Sequence, residues 1–370
     1  MSLPLFRTQP LIAPQQPRLP AAPVEYSQRY GDDLTNILRL YFNQLQNFNQ
    51  LFTTNTGGAL LQFPSMAVQD NTTQTGSVTY QAPLSFTQVD YANAFTLDDH
   101  VASFTGSRAL TTLTVSAVAS GYIYPGMHLI GLGWASTVFT ASIGTVAGTD
   151  NIMTVTAVTS GTLAVGQYLV DGAGLVTGAR IAQVISGTGG VGTYLINVPD
   201  NSKVTLASTT ITGYGTRIVD QLSGTAGGVG TYSVSTSGTI ASTGLQGRVT
   251  SKIKATTAGT YNLQWSGQFS SLSNASETAY VWIRINGQDL AGSTGRLGLL
   301  QRKSAGVAND MIIGWNYYVN LKADDYVELF WLVTNASDIS IRTYPASTSP
   351  AYPSTASVVL TIGFVSALYT

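Results

Sequence analysis

Few side chains in this sequence are equipped for chemistry. The two histidines are His100 and His128, and His100 follows Asp98 and Asp99 in the run LDDH. An imidazole beside two carboxylates supplies the donor types of a cation site. Consecutive residues of a strand point to opposite faces, so in a strand only part of this trio converges. The run reads first as a solvated turn, and the pair Asp324 and Asp325 carries the same ligand chemistry.

GTGGVG, residues 187–192, has the spacing of a dinucleotide-binding glycine loop. That loop works by presenting the N-terminus of a following helix to a pyrophosphate. Here Thr193, Tyr194, Leu195 and Ile196 follow in a strand pattern, so the run reads as a turn. No Ser-His-Asp, His-Glu-x-x-His or thiol arrangement is present, cysteine being absent. Polysaccharide cleavage needs two carboxylates about 5–10 Å apart in a groove. The acids of the glycine-rich block, Asp150, Asp171, Asp200 and Asp220, are scattered. The expectation is a protein that is not an enzyme and holds neither metal nor cofactor.

The elements that must position these residues follow from composition. Charged residues make up 9% of the 370, with 17 basic against 18 acidic, so no strong field draws nucleic acid or anionic lipid. With 38 glycines, no cysteine and many Ser, Thr and β-branched residues, the chain reads as strands joined by tight turns. The fold expected is mostly β. No apolar run reaches the length of a membrane span or of a signal-peptide core, so neither conventional secretion nor membrane insertion is expected.

Residues 1–25 carry Pro4, Pro10, Pro14, Pro17, Pro20 and Pro23, which fix φ and remove donors, giving an extended arm. It is either a free tail or a strap anchored on a partner by Leu3, Leu5, Phe6, Leu11 and Ile12. In residues 26–56, Leu34, Leu38, Tyr41, Leu45, Phe48 and Phe52 recur at alternating spacings of four and three, a heptad seam on a helix stopped by Gly57 and Gly58. Asp32 and Asp33 suit its positive end. So short a seam is marginal alone. It either self-associates or docks on its own domain.

Val78 with Tyr80, and Leu84 with Phe86, alternate with polar residues and predict two short strands, followed by a third at Ala94–Leu97. The block 109–247 contains an internal repeat. LTVSAVASGYIYPGMHLIGLG, from 113, matches MTVTAVTSGTLAVGQYLVDGAG, from 153. The second copy ends in SGTGGVGTY at 186–194, and an orphan ending, SGTAGGVGTY, stands at 223–232. Either the second unit is nested inside the first or the units are a decayed tandem.

From 248 the pattern becomes long and aromatic. In AGTYNLQWSGQFSS, Tyr261, Leu263, Trp265 and Phe269 alternate with polar residues, a half-buried strand. AYVWIRINGQDL carries an Asn-Gly hairpin signal at 286 and 287. About six strands here are too few for a sandwich without exposed edges, so residues 57–108 and 248–370 are expected to share one discontinuous sandwich. The strand at Tyr261–Phe269 would resume the sheet begun at 78–97.

GTYNLQWSGQFSS, YVWIRINGQDLAGS, YYVNLKADDYVELFW and ASVVLTIGFVSAL resemble, in that order, the jelly roll shared by the complement globular-head and tumour necrosis factor families. The resemblance covers 248–370 well and 64–104 loosely. It implies an antiparallel jelly-roll sandwich and a homotrimer, with Tyr261, Leu263, Trp265, Phe269, Tyr317, Phe330 and Phe364 in the sandwich core or on the trimer axis. PVEYSQRYGDDLTNILRLYFNQLQNF and QFPSMAVQDNTTQT resemble virion structural proteins of marine cyanobacterial phages, and the glycine-rich units look like modules of phage fibres. These resemblances imply localisation in a virion, as a tail fibre, spike or capsid decoration subunit. Residues 1–56 would meet other virion proteins, and the β modules a host glycan or receptor. A secreted or cell-surface lectin-like module and a depolymerase tailspike are the alternatives.

Overall fold

The computed structural model describes residues 28–53, 63–146, 150–171, 178–198 and 203–368, excluding the side chains of 46–53, 145, 146 and 150. The chain divides into two compact units, Met1–Phe63 and Pro64–Thr370.

In the first unit the helix runs Gln28–Thr53. Leu34, Leu38, Tyr41 and Leu45 are half-buried, whereas Leu40 and Phe42, off the seam, are each 59% exposed. Asp32 and Asp33 lie beyond the first turn, which contains no acid, because the helix begins at Gln28. The anchor residues Leu3, Leu5, Phe6, Leu11 and Ile12, and the side chains of Phe48 and Phe52, lie outside the described residues.

The second unit is built of antiparallel strands. One sheet runs Asn309–Leu321, Gly259–Ser271, Val358–Ser366, Ser65–Asp70, Gln88–Asn93 in spatial order. The other contains Glu277–Ile285, Tyr326–Val333 and the outer ends of two 26-residue strands, Phe95–Ser120 and Gly230–Ala255. Period-two alternation turns one row of each sheet inward. Tyr261, Leu263, Trp265, Phe269 and Leu360 thereby meet Leu97, Ile253, Val281, Leu329 and Trp331 in a shared core. Trp265 and Trp315 pack edge to face at 4.6 Å. Asn286 and Gly287, both at positive φ, make the tight turn between Glu277–Ile285 and Gln288–Asp289.

Two expectations about this region need correction. Of residues 78–97, Gln88–Asn93 shares the sheet of Gly259–Ser271 as expected, whereas Ala82–Pro83 and Phe95–Leu97 belong to the opposite sheet. Val78 and Tyr80 lie in a bend rather than a strand. The Tyr80 backbone N–H donates to Ser77 Oγ at 3.0 Å, and this local bond replaces a ladder bond.

The two long strands continue past the sandwich as a paired ribbon that encloses a second core, containing Phe104, Leu113, Ile123, Leu129, Trp134, Ile218 and Tyr232. Between the ribbon's halves in sequence, six strands close into a separate barrel: Thr137–Val146, Asp150–Ser160, Tyr168–Asp171, Arg180–Val184, Gly192–Asn197 and Leu206–Tyr214. A third core of Phe139, Met153, Leu163, Leu169, Ile181, Tyr194 and Ile211 fills it.

Candidate functional site

LDDH lies inside the 26-residue strand Phe95–Ser120 and not in a turn. Pairing with Gly230–Ala255 holds it extended, and alternation sends its side chains apart. His100 Nε2 contacts Glu328 Oε1, which also accepts from Ser251 Oγ at 2.8 Å. Asp99, on the other face, accepts from Thr250 Oγ1 at 2.5 Å, Tyr168 Oη at 3.2 Å and Arg248 Nη1 at 3.2 Å. Asp99 thus ties the barrel, through Tyr168, to the ribbon. Asp324 and Asp325 form a turn: Asp324 has φ 70° and pairs with Lys254 Nζ at 2.8 Å, while Asp325 accepts the Lys322 N–H at 2.7 Å.

In GTGGVG, Gly187 and Gly189 have positive φ, and the strand Gly192–Asn197 follows. Among the sparse acids, Asp220 accepts from Ser77 Oγ at 2.6 Å. The side chain of Asp150, and all of Asp200, lie outside the described residues.

The assembly best suited to meet a ligand lies where the ribbon unit covers the outer face of the sandwich. Phe330 alternates with the inward-facing Leu329 and Trp331, so it is fully buried on the face away from the sandwich core. The Arg284 guanidinium lies over its ring, 3.8 Å from the centroid. Tyr124 packs edge-on against Phe330 at 5.5 Å, and Tyr122 extends the row at 4.4 Å from Tyr124. Trp282 lies 6.2 Å from Phe330 and donates its Nε1–H to Asp289 Oδ1 at 2.7 Å. Arg284 also donates to Asp289 Oδ1 from Nε, at 2.9 Å, and to Gln81 Oε1 from Nη2, at 2.5 Å.

Burial pushes the Tyr124 phenol up to about 12, so it remains a neutral donor. Tyr122, 39% exposed, brings the aromatic row to solvent beside exposed Gln81 and Asp289. Of these rings Tyr122 is the exposed one, and it can stack on the apolar face of a neutral polyhydroxylated ligand whose hydroxyls meet the exposed carboxylate and amide.

Of the predicted aromatic set, Tyr261, Leu263, Trp265 and Phe269 are buried within one chain and so are not open to a trimer axis. Tyr317 and Phe364 are half-buried against the same core. Phe330 alone belongs to the candidate site. Sequence reasoning missed Tyr122, Tyr124 and Arg284. The repeat held a signal, since GYIYPG carries tyrosines where its second copy, GTLAVG, has Thr162 and Ala164.

No protein-family model and no curated protein matches this chain. Among solved structures, the insecticidal δ-endotoxin Cry8Ea1 of Bacillus thuringiensis aligns at 8% identity and TM-score 0.20, over 91% of this chain and 65% of its own length. A Cry1Da tryptic core variant from the same organism aligns at 11% identity and TM-score 0.17, over 93% and 73%.

Proposed function

We propose that the chain is a non-enzymatic phage virion structural protein: a homotrimeric fibre, spike or decoration subunit. Its sandwich is a jelly roll of the complement globular-head and tumour necrosis factor type. The arm at 1–25 and the coiled-coil-like helix at 26–56 fasten it to other virion proteins. The β modules carry the Tyr122–Arg284 surface outward to a host glycan or receptor, where weak contacts repeated threefold give avidity.

The observation that carries this reading is the outer face of the Gly259–Ser271 sheet. Its central rows read Gln268, Ser266, Gln264 and Asn262 beside Ile312, Gly314, Asn316 and Tyr318, then Val359 and Thr361, then Ala67 and Tyr91. Ile312 is 75% exposed and Tyr318 60%. Across these five strands the exposed charges among the described residues are Asp310 and, at the edge bulge, Asp90. A flat, neutral, partly apolar face suits burial against identical copies.

Light scattering of the full chain is the test, with an expected mass near three times 39.0 kDa. Ile312→Asp with Tyr318→Asp should give folded monomers. A monomeric wild type rejects the trimer, and a trimeric double variant rejects this face. Tyr122→Ala should abolish binding to host cells without changing the mass. The same aromatic surface also suits the lectin-like alternative, which labelling of particles with an antibody to this chain discriminates. A depolymerase would release reducing ends from host polysaccharide.

A further inference from the structure

Arg180 and Arg217 hold equivalent positions in the two glycine-rich units, in GARIAQ and GTRIVD. Both line a single cavity where the barrel, the ribbon unit and the sandwich meet. His128 and Tyr168, a second equivalent pair, line it as well, and so do Gly126 and Gly166. Arg180 is 1% exposed. Its Nε donates to the Thr87 carbonyl at 3.3 Å and its Nη1 to Thr250 Oγ1 at 2.5 Å, but its Nη2 is enclosed without a hydrogen-bond partner. His128 Nδ1 is likewise enclosed and unpartnered. Arg217 is half-buried, and no carboxylate among the described residues forms an ion pair with it.

A guanidinium keeps its charge, so its burial is not relieved by losing a proton. The nearby carboxylates are already engaged. Asp99 lies 4.0 Å from Arg180 but closer, at 3.2 Å, to Arg248. Asp70 takes donors from Thr72, Gln74 and Ser357, and burial raises its pKa, opposing the ionised form. Positive charge is left in excess around a cavity of about 40 Å³. That volume holds roughly three waters, or one small tetrahedral anion.

We infer that this cavity is a binding site for one small inorganic oxyanion, of the phosphate or sulfate class, held between Arg180 Nη2 and the Arg217 guanidinium. Planar guanidinium forks match the oxygen spacing of such an ion. Because the two arginines come from different units, the anion ties the barrel and the ribbon unit together and binds only the assembled junction. Folding and occupancy are therefore linked.

The test uses the full chain, freed of phosphate and sulfate in a chloride buffer. Equilibrium dialysis with radiolabelled inorganic phosphate should find one ion per chain. The melting temperature should rise saturably, by about 5 °C at a hundredfold excess over the dissociation constant. Arg217→Gln should weaken phosphate binding at least tenfold while leaving the melting temperature in chloride unchanged or higher, since an uncompensated buried charge is gone. Arg217→Lys, which keeps the charge but loses the fork, should fall between. A merely structural role for Arg217 would lower the melting temperature equally with and without phosphate. Absence of bound phosphate on the wild type at dialysis equilibrium would overturn the site, whatever the variants do. So would a linear, unsaturated thermal response shared by Arg217→Gln, which would leave only water in the cavity.

Discussion

The barrel and the ribbon unit use the same hydrogen bonds to different ends. In the barrel, the Leu163 N–H donates to the Gly189 carbonyl, Gly166 to Ile181 and Leu169 to Ala179, each at 2.8 Å. In the ribbon unit, Ile123 donates to Gly227 at 3.0 Å, Gly126 to Ile218 and Leu129 to Thr216, both at 2.8 Å. Tyr194 Oη donates to the Gly190 carbonyl at 2.7 Å and Tyr232 Oη to Gly228 at 2.6 Å. Phe139 and Phe104 fill matching core positions.

Continuity sets them apart. The barrel's strands Thr137–Val146 and Asp150–Ser160 are separate elements, whereas their counterparts in the ribbon unit are parts of one strand, Phe95–Ser120, turning at Leu110 with φ 56°. Gly192–Asn197 and Leu206–Tyr214 likewise correspond to parts of Gly230–Ala255. One unit is therefore closed on itself, while the other shares its strands with the sandwich core through Leu97 and Ile253. The same local pattern folds either way. Whether a unit is autonomous depends on whether its strands end.

That contrast is sharpest in core truncations. Phe139→Ala should cost about 3–5 kcal/mol and melt the barrel alone. Calorimetry would then show an early transition that leaves the Trp265 and Trp331 fluorescence unchanged. Phe104→Ala should lower the main transition by a similar amount, because its strand enters the sandwich. A single shifted transition for Phe139→Ala would break the distinction.

The turn glycines come next. A Cβ at Gly161 would stand 2.0 Å from the Ser136 carbonyl oxygen, and one at Gly121 2.2 Å from that of Val101, at φ 76° and 77°. Alanine at either should cost more than about 2 kcal/mol, partitioned between transitions as for the phenylalanines.

Acid should discriminate the units more gently, because His128 corresponds to Tyr168 in the barrel. Burial, and then the neighbouring Arg217 and Arg180 charges, hold the His128 pKa at about 3, against an ordinary 6.5. The unfolded chain thus takes up its proton first, so stability is full above pH 6.5 and declines toward pH 3, by up to about 1.4 kcal/mol per pH unit. His128→Gln should flatten that slope in anion-free urea titrations, with Asp99, Asp70 and Tyr168 unchanged around it. The smallest effect is expected from Tyr194→Phe and Tyr232→Phe, about 1 kcal/mol each. Strongly unequal losses would show that the matching bonds are not equivalent in energy.

Much of this architecture is legible in the residues. Glycine and β-branched content implies a mostly β chain, Leu34 through Phe52 imply a helix, and the strict alternation of Tyr261, Leu263, Trp265 and Phe269 implies a strand with one buried face. The Asn286-Gly287 turn and the paired SGTGGVGTY endings are equally plain, because turn chemistry and side-chain period are local properties. The candidate site was not legible. Val78 and Tyr80 read as a strand until the Ser77 hydroxyl is seen closing a bend, and LDDH reads as a turn until a partner strand 150 residues later in the chain is paired with it.

By itself, then, the sequence determined the period of each strand, the places where the chain turns and the fact that one glycine-rich unit occurs twice. Tertiary structure alone decided which sheet each strand joined, which face of its sheet Phe330 occupied, and that Arg180 and Arg217 meet at one cavity. The reason is physical: dihedral preferences and burial period act over a few residues, whereas strand partners and buried charges are selected by packing between segments far apart in the chain.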